Sequence, residues 1–277
     1  MKASVIILDF LKSKRVVENV ESIQKQLVNF PIEIIVVDNS RNEANAKKLR
    51  ELEKFENVKL IFNDENLGYT RGTNRGVRDA TGEYLFIVNP DIIWSNPQTL
   101  QKMVDFLDAN PQVGIVGPKQ INDTDGKVAM TVRAFPKLFL QIARRTWLRK
   151  LPGVRKKVEF DEMQHLDYDK TQPVDWLQSS FVAVRKNLWE KFGGLDEGYF
   201  LFMSDPDICW KCWESGFEVI YYPEVTVHAD GLRCSAGGFL SFFGKWTLRQ
   251  HLRDAVRYHI KYRGKKSPRT KHETGNT

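Results

Sequence analysis

Short apolar runs alternate with longer amphipathic stretches over residues 1–110, and this alternation restricts the fold more than any other feature of the chain. Four runs have the length and composition of buried strands, at 4–8, 32–37, 58–62 and 84–88. The spacing of the apolar residues that follow them predicts helices over 14–29, 44–55, 73–80 and 97–110. Alternating strands and helices indicate an α/β fold built on a parallel sheet with right-handed crossovers.

Three acidic residues, Asp9, Asp38 and Asp91, fall at the carboxyl ends of predicted strands. Ligands of open α/β sheets bind at this edge. Asp and Asn also make turns and cap helices after strands, so each acid alone has a purely structural explanation. Three acids at three strand ends favour a binding site.

A segment rich in Gly and Asn, residues 66–76, leads into the third predicted helix. We expect Gly68, Gly72 and Gly76 to allow close backbone approach, and the helix N-terminus to favour an anion. The spacing matches neither the Walker pattern nor the dinucleotide fingerprint. Because a diphosphate needs its charge neutralised, we expect Asp91 to act on it by holding a hard divalent cation.

Basic residues are concentrated in two segments of a chain whose net charge is +7. Residues 126–158 contain ten Lys and Arg and no acidic residue, and residues 239–277 contain ten Lys and Arg and two acidic residues. The rest of the chain contains 22 Lys and Arg and 33 acidic residues. Such segments indicate a polyanionic partner, either nucleic acid, an anionic membrane or a phosphorylated substrate. No signal peptide or spanning helix of ~20 residues is evident, so we expect any membrane contact to be peripheral.

Six motifs in order resemble the GT-A glycosyltransferases of family 2, over about residues 3–262. They are residues 36–40, 66–74, 89–91, 193–200, 205–210 and 216–228. Residues 131–136 and 174–176, with the aromatic and basic stretch after Ser235, are most similar to rhamnosyltransferases that act on polyprenyl-diphosphate-linked sugars. The donor sugar changes easily within this fold.

The resemblance implies an α/β fold of the GT-A type, a Rossmann-like nucleotide-diphospho-sugar transferase. Its mixed sheet would be flanked by helices and followed by C-terminal basic amphipathic helices. Residues 1–238 would form the catalytic domain, with a nucleotide-sugar-binding half at 1–117 and an acceptor and catalytic half at 118–238. Residues 239–264 would form a membrane-associating helical segment, and residues 265–277 a disordered tail.

The resemblance also implies which residues bind the donor: Asp9, Asp38, Asn66, Arg71, Asn74, Asn89 and Asp91. Asp38 would contact the base or ribose, with Asp9 beside it. Asp91 would hold Mg²⁺ or Mn²⁺ against the donor diphosphate, and His228 would approach the metal. A histidine satisfied at a strand end is the alternative for His228.

On the acceptor side, Asp205 matches the general base of an inverting transfer, and Asp207 would assist it or bind the acceptor. Trp176 is either an acceptor-facing or a core aromatic residue. Both acids have a structural alternative, because Asp is favoured in the first turn of a helix. The family normally has Glu before the base, whereas this chain has Ser204.

The spacing of Cys209 and Cys212 fits zinc binding, with Cys234 and His228 as possible further ligands. The two cysteines lie at i and i+3 of a predicted helix, which favours buried thiols. An odd count of three cysteines argues against a disulfide framework and for a reducing compartment.

The C-terminal basic segment has Arg249, Arg253, Arg257 and Lys261 at helical spacing, with apolar residues between them. This pattern is typical of an interfacial helix on an anionic membrane, and the aromatic stretch at 135–150 shares its composition. The alternative is that both segments pack on the catalytic domain with solvated basic faces.

The expected function is inverting transfer of L-rhamnose from dTDP-rhamnose to a lipid-diphosphate-linked saccharide, at the inner face of the cell membrane. A UDP- or GDP-sugar is the alternative donor. Two other classes remain: a nucleotide-sugar-binding protein without catalysis, and a nucleic-acid-binding protein using the basic segments. The acidic remainder of the chain and the absence of a nucleic-acid motif argue against the last.

Overall fold

The computed structural model describes residues 1–144, 146–231 and 246–269. The strands are β1 (Ala3–Asp9), β2 (Ile32–Asp38), β3 (Val58–Phe62), β4 (Tyr84–Val88), β5 (Val113–Asn122), β6 (Val132–Arg133), β7 (Gln172–Pro173), β8 (Trp176–Leu177), β9 (Phe181–Arg185) and β10 (Glu218–Ala229). The helices are α1 (Ser13–Ile23), α2 (Glu43–Leu49), α3 (Gly68–Arg78), α4 (Thr99–Ala109), α5 (Leu138–Arg144), α6 (Pro152–Asp161), α7 (Lys186–Phe192), α8 (Ser204–Glu214) and α9 (Trp246–Lys261). Short 3-10 helices follow α2 at Arg50–Lys54 and α5 at Trp147–Lys150.

Among the described residues, eight strands form one mixed sheet in the order β3-β2-β1-β4-β9-β5-β10-β7. The first four are parallel neighbours, as the alternation predicts. β9 runs antiparallel between β4 and β5, and β10 lies parallel beside β5. The mixed sheet flanked by helices is therefore confirmed, and the parallel arrangement holds for the first four strands.

Helices cover both faces of the sheet, so alternate residues of β1 enter two separate hydrophobic cores. Val5 and Ile7 pack with α1 and α4, whereas Ile6 packs with α3 and α8. The buried Asn19 of α1 links this core to the edge of the sheet. Its amide donates to the Asn89 carbonyl at 2.8 Å, which holds the loop that carries Asp91.

Helix α3 begins at Gly68, well before the predicted start at residue 73. The predicted Gly-rich loop is therefore mostly helix. A Cβ atom at Gly72 would lie 2.6 Å from Leu8 Cδ1, and one at Gly76 would lie 2.8 Å from Ile6 Cγ2. These two glycines serve close packing of the helix on β1, because a side chain at either position would collide with the sheet.

The predicted membrane-associating segment is described from Trp246 onward, where α9 packs on the predicted catalytic domain. Leu248, Ala255 and Tyr258 are buried on one face of this helix. Arg257 and Lys261 both pair with Asp196, at 3.1 and 2.8 Å. One face of the predicted basic amphipathic helix is therefore bound to the domain. The predicted domain boundaries at 117/118 and 238 stay predictions.

Part of the predicted disordered tail also contacts the predicted catalytic domain. Lys265 pairs with Glu214 at 3.2 Å, and Arg269 pairs with Asp175 at 3.1 Å. Residues 232–245, which include Cys234, and residues 270–277 lie outside the described residues. Within the described ranges, no helix combines the length and the apolar character needed to cross a bilayer.

Candidate active site

The first two strand-end acids lie side by side at the carboxyl edge of the sheet. Asp9 pairs in register with Asp38, and both are buried. The Asn45 amide donates to Asp9 Oδ2 at 2.5 Å and to Asp38 Oδ1 at 3.2 Å. Burial raises the pKa of Asp9, although the hydrogen bonds from Asn45 and from the Lys12 amide oppose this. Asn45, at the start of α2, therefore holds the two carboxylates in place.

The third acid, Asp91, meets a carboxylate that sequence reasoning missed. Its side chain lies within hydrogen-bonding distance of Asp230, just beyond β10. Burial and then the negative charge of Asp230 raise the pKa of Asp91. Lys12 Nζ lies 3.7 Å from Asp230 Oδ2. Because the Lys12 amide also donates to Asp9 at 2.9 Å, the loop after β1 contacts both groups of acids.

The backbone of His228 ties the Asp91 loop to β10. Ile93 and His228 exchange two backbone hydrogen bonds, at 2.9 and 3.0 Å. The imidazole Nδ1 lies 3.0 Å from Asp123 Oδ1, so this side chain is paired with another surface residue. The structure therefore places His228 beside the Asp91 loop, and its role as a metal ligand stays a prediction.

The Asp91 and Asp230 pair fits a divalent cation by the chemistry of its donors. Mg²⁺ in nucleotide sites takes one or two carboxylates and completes its shell with phosphate oxygens and water. Within the described residues, no group of three or more His, Cys, Asp and Glu side chains could hold a metal. A cation held here would thus depend on ligands from a bound diphosphate.

Asp205 lies in the first turn of α8, at the same edge of the sheet. Its carboxylate accepts hydrogen bonds from the hydroxyls of Ser179 and Ser204, the latter at 3.3 Å. Burial raises the pKa of Asp205, and these hydrogen bonds oppose the rise. Tyr69 extends the network, since its hydroxyl lies 2.7 Å from Ser179 Oγ. Ser204, where the family has Glu, thus contacts the carboxylate of the predicted base.

Backbone contacts connect Asp205 to the Asp91 loop. The Asn89 amide donates to the Ser180 carbonyl at 2.8 Å, so the end of β4 is bonded to the start of β9. Ser179, which bonds Asp205, is the neighbour of Ser180. Asp205, whose pKa is raised, therefore lies on one side of this strand junction, the contact between the end of β4 and the start of β9. The Asp91 and Asp230 pair, which suits a cation, lies on the other side.

The neighbouring acid Asp207 has a different environment, in a buried cluster under α9. It is 1% exposed. Lys261 Nζ lies 2.6 Å from its Oδ1, and Tyr262 donates to the same oxygen at 2.9 Å. These contacts anchor α9 to α8, and an acceptor would reach Asp207 only if this cluster opened. The position of Asp207 fits a structural acid in the first turn of a helix better than it fits an acceptor-binding residue.

The three donor-site residues predicted on the Gly- and Asn-rich segment fall into two groups. Asn66 and Arg71 line a pocket of about 230 Å³ between the start of α3 and α9. The amide of Asn74 instead donates to the Leu195 carbonyl at 2.9 Å and accepts from the Leu195 amide at 3.0 Å. Asn74 therefore fixes the loop before α8, which leaves its predicted contact with the donor without support from this geometry.

The first two amides of α3 are already bonded to protein acceptors. The Gly68 amide donates to Asn66 Oδ1 at 2.9 Å, and the Tyr69 amide donates to the Phe200 carbonyl at 2.7 Å. Since protein acceptors already satisfy these donors, a phosphate at this helix end would have to replace them.

Trp176 is partly buried against the core, and its indole donates to the Ala134 carbonyl at 2.8 Å. Cys209 and Cys212 are buried in α8 as free thiols, which confirms the prediction of buried thiols for these two residues. Burial raises the pKa of both cysteines. Cys234, the third cysteine of the zinc alternative, lies outside the described residues.

A carboxylate of α9 binds the loop that leads into α8. Asp254 accepts backbone hydrogen bonds from Phe200, Leu201 and Phe202, at 3.3, 3.1 and 2.9 Å. Asp254 is 1% exposed, and Gln250 donates to it at 2.8 Å. The conformation of the loop before Asp205 therefore depends on α9, a connection that the sequence does not indicate because the residues are far apart in the chain.

We expect Asp254→Asn to lower the free energy of unfolding by about 1–3 kcal/mol. An amide side chain has only one acceptor oxygen, so it would leave some of the three buried backbone amides without a hydrogen-bond acceptor. Urea unfolding measures this change. Arg253→Gln, at the adjacent exposed position, serves as the control and should leave unfolding unaltered. An unchanged midpoint and slope for Asp254→Asn would contradict the contacts described for this carboxylate.

The sequence comparisons agree on one family. The model for "Glycosyl transferase family 2" matches residues 4–166. An "N-acetylglucosaminyl-diphospho-decaprenol L-rhamnosyltransferase" of Mycobacterium tuberculosis is 26% identical over 212 residues, 71% of this chain and 66% of that protein. "Rhamnosyltransferase WbbL" of Escherichia coli is 26% identical over 181 residues, 65% of this chain and 63% of that protein. The matched region thus spans just under two thirds of each of these relatives.

The structure comparison supports the same fold. The mannosyltransferase PcManGT of Pyrobaculum calidifontis, solved with GDP-Man and Mn²⁺, has a TM-score of 0.56 and 18% identity over 99% of this chain and 79% of that chain. This likeness concerns the GT-A fold alone, whose mixed sheet flanked by helices is described above. With the sequence match over more than half of its length, the chain belongs to glycosyl transferase family 2.

Proposed function

We propose that the protein is an inverting glycosyltransferase that moves L-rhamnose from dTDP-rhamnose to a lipid-diphosphate-linked saccharide. One observation carries the proposal: Asp205, a carboxylate with a raised pKa, lies across a strand junction from the Asp91 and Asp230 pair. The first group suits proton abstraction, and the second suits a cation beside a diphosphate. Family membership supports pairing these two roles in one reaction.

In the proposed reaction, the acceptor hydroxyl transfers its proton to the Asp205 carboxylate. The acceptor oxygen forms a bond to the anomeric carbon as the bond from that carbon to the diphosphate oxygen breaks. The nucleoside diphosphate leaves with the electron pair, and attack from the opposite face inverts the anomeric centre. Ser179 and Ser204 orient the carboxylate by donating to Oδ1.

On the donor side, Asp38 and Asp9 would contact the base or ribose, and Asn66 and Arg71 would line the site. Mg²⁺ or Mn²⁺, held by Asp91 and Asp230 with His228 near the loop, would supply charge neutralisation for the leaving diphosphate. Lys12 adds a positive charge at the same place, 3.7 Å from Asp230. No protein acid is needed to protonate the leaving group in this arrangement.

The rhamnosyl donor and the lipid-linked acceptor are inferred from the named relatives and the charge distribution. The matches to these two rhamnosyltransferases cover 71% and 65% of this chain. An acceptor carried on a lipid would bring the enzyme to the inner face of the cell membrane as a peripheral protein. Polysaccharide assembly at the cell surface would be the process served.

A thermal-shift panel with Mn²⁺ and nucleoside diphosphates tests the donor. We expect dTDP to raise the melting temperature more than UDP or GDP, because at equal concentration the ligand with the lower Kd stabilises the folded state more. A clear preference for UDP or GDP would instead support the alternative donor. Equal, negligible shifts with all nucleotides would contradict a nucleotide-sugar site.

The position of Ser204 favours a second candidate, a nucleotide-sugar-binding protein without catalysis. It has a hydroxyl where family members have Glu, so the base lacks a second carboxylate beside it. Stabilisation by a nucleotide sugar with no transfer and no donor hydrolysis in Mn²⁺ would identify this candidate. Turnover with any lipid-linked acceptor would exclude it.

A further inference from the structure

Exposed apolar side chains of this protein are concentrated in two segments. Ten of the sixteen large hydrophobic side chains that are exposed among the described residues lie in residues 138–160 or in α9. They are Leu138, Phe139, Ile142, Trp147, Leu151, Phe160, Trp246, Leu252, Val256 and Ile260. These are the segments in which basic residues are concentrated. Exposed apolar side chains that cluster in this way are typical of an interaction surface.

Helices α5 and α6 form an apolar groove with a basic rim. Phe139, Leu140 and Phe160 line a cavity of about 500 Å³, together with Lys137, Lys156 and Lys157. The three lysines form no salt bridge with a described residue. Each is exposed, so three positive charges surround hydrocarbon side chains. This combination matches an amphiphile that has an anionic head and an apolar chain.

The outer face of α9 repeats this chemistry. Leu252, Val256 and Ile260 recur every four residues and are exposed, opposite the buried side of the helix that carries Asp254. Arg249 and Arg253 lie on the same outer face, and neither pairs with an acid among the described residues. On the side of α9 that faces the predicted catalytic domain, the charged side chains have partners. The outer side combines cationic side chains with exposed apolar ones.

One hydrogen bond joins the two segments. His259 Nε2 of α9 lies 2.9 Å from Gln141 Oε1 of α5. The Gln141 amide in turn lies 3.8 Å from Met203 Sδ, directly before Ser204 and Asp205. Helices α5 and α9 therefore contact each other next to the start of α8, where the predicted base lies.

We propose that α5, α6 and the outer face of α9 form one lipid-binding surface that docks on a bilayer containing acidic phospholipids. The lysines of the groove pair with headgroup phosphates, and the aromatic side chains enter the headgroup region. Both segments have the composition of interfacial helices on anionic membranes. The inference rests on the proposed function only in one respect: docking would bring Asp205 to an acceptor held in the same membrane.

Co-sedimentation with vesicles, without donor or acceptor, tests the surface. The full chain should bind vesicles of mixed phosphatidylglycerol and phosphatidylcholine, and bind far less to phosphatidylcholine alone. The variants K137E/K156E/K157E and R249E should each weaken binding by at least roughly fivefold for every residue reversed. Binding should also weaken as salt is raised, since the charges are exposed.

A matched control carries the same charge change elsewhere. The variant K25E/K47E/K191E reverses three exposed lysines, one just after α1, one on α2 and one on α7, and should bind acidic vesicles like the parent chain. Equal loss in this control, or full binding by either test variant, would overturn a single docking surface. So would the absence of vesicle binding together with DNA binding at about 0.15 M salt that the same variants abolish.

The same preparations separate this inference from the proposed function. Nucleotide-dependent stabilisation, measured on each variant without lipid, reports the donor site alone. Retained stabilisation by dTDP without vesicle binding would overturn the docking surface and leave the proposed function standing. Vesicle binding without any nucleotide response would support the surface and contradict the proposed function.

Discussion

Asp205→Asn should lower the rate of sugar transfer by roughly 10²–10⁴-fold, the contribution of a positioned general base. The amide has nearly the same shape and still offers an oxygen to the hydroxyls of Ser179 and Ser204. We therefore expect the variant to fold and to bind the nucleotide donor normally. Steady-state transfer to a lipid-linked acceptor measures the effect, and the nucleotide thermal shift confirms donor binding.

The environment of Asp205 gives this experiment a pH control. Transfer needs the ionised carboxylate, so activity should fall as the pH drops through the pKa of Asp205, which burial holds above its usual value. Ser179→Ala removes a hydrogen bond to the ionised form and should move this acidic limb to higher pH. A limb unchanged by Ser179→Ala, or an active Asp205→Asn variant, would exclude Asp205 as the base.

Elements set by local periodicity were predictable from the sequence. β3 and β4 match their predicted spans, and the acids Asp9, Asp38 and Asp91 lie at the edge expected from strand order. The period of apolar residues and the parallel pairing of successive strands are properties of short segments. Neither depends on which distant residues later pack against them.

The remaining features depend on contacts between residues far apart in the chain. Asn74 resembles a ligand residue in a motif, yet its amide is taken up by the backbone of Leu195. Gly72 suggests a loop, although its lack of a side chain serves packing on Leu8. The antiparallel direction of β9 is likewise fixed by its neighbours in the sheet. Composition and spacing leave such pairings undetermined.

The sequence contains a weak indication that Asp230 lies beside the predicted metal site. Asp230 follows His228 by two residues, so both side chains point to the same side of an extended strand. The family resemblance directed attention to the histidine alone. In the structure, the bond between Ile93 and His228 brings Asp91 next to Asp230, whereas the imidazole of His228 pairs with Asp123.

We expect Asp91→Asn to abolish the stabilisation that Mn²⁺ and a nucleoside diphosphate give together, and to lower transfer by roughly a hundredfold or more, since a metal provides several kcal/mol of charge stabilisation. Without metal, the same variant should be as stable as the parent chain or more stable, because it removes the repulsion between two adjacent carboxylates. Melting temperatures with and without Mn²⁺ measure both effects.

Asp230→Asn should also abolish the stabilisation by Mn²⁺ and a nucleoside diphosphate, and without metal it should be as stable as the parent chain or more stable. The reason is that either substitution leaves a single carboxylate at the site. His228→Gln provides the comparison, since it keeps a polar side chain near Asp123 while removing the imidazole. If Mn²⁺ stabilises Asp91→Asn and the parent chain equally, the carboxylate pair is not the cation site. If only His228→Gln loses the response, the imidazole replaces Asp230 as the second ligand. Retained transfer in both Asp91→Asn and Asp205→Asn would refute the proposed mechanism as a whole.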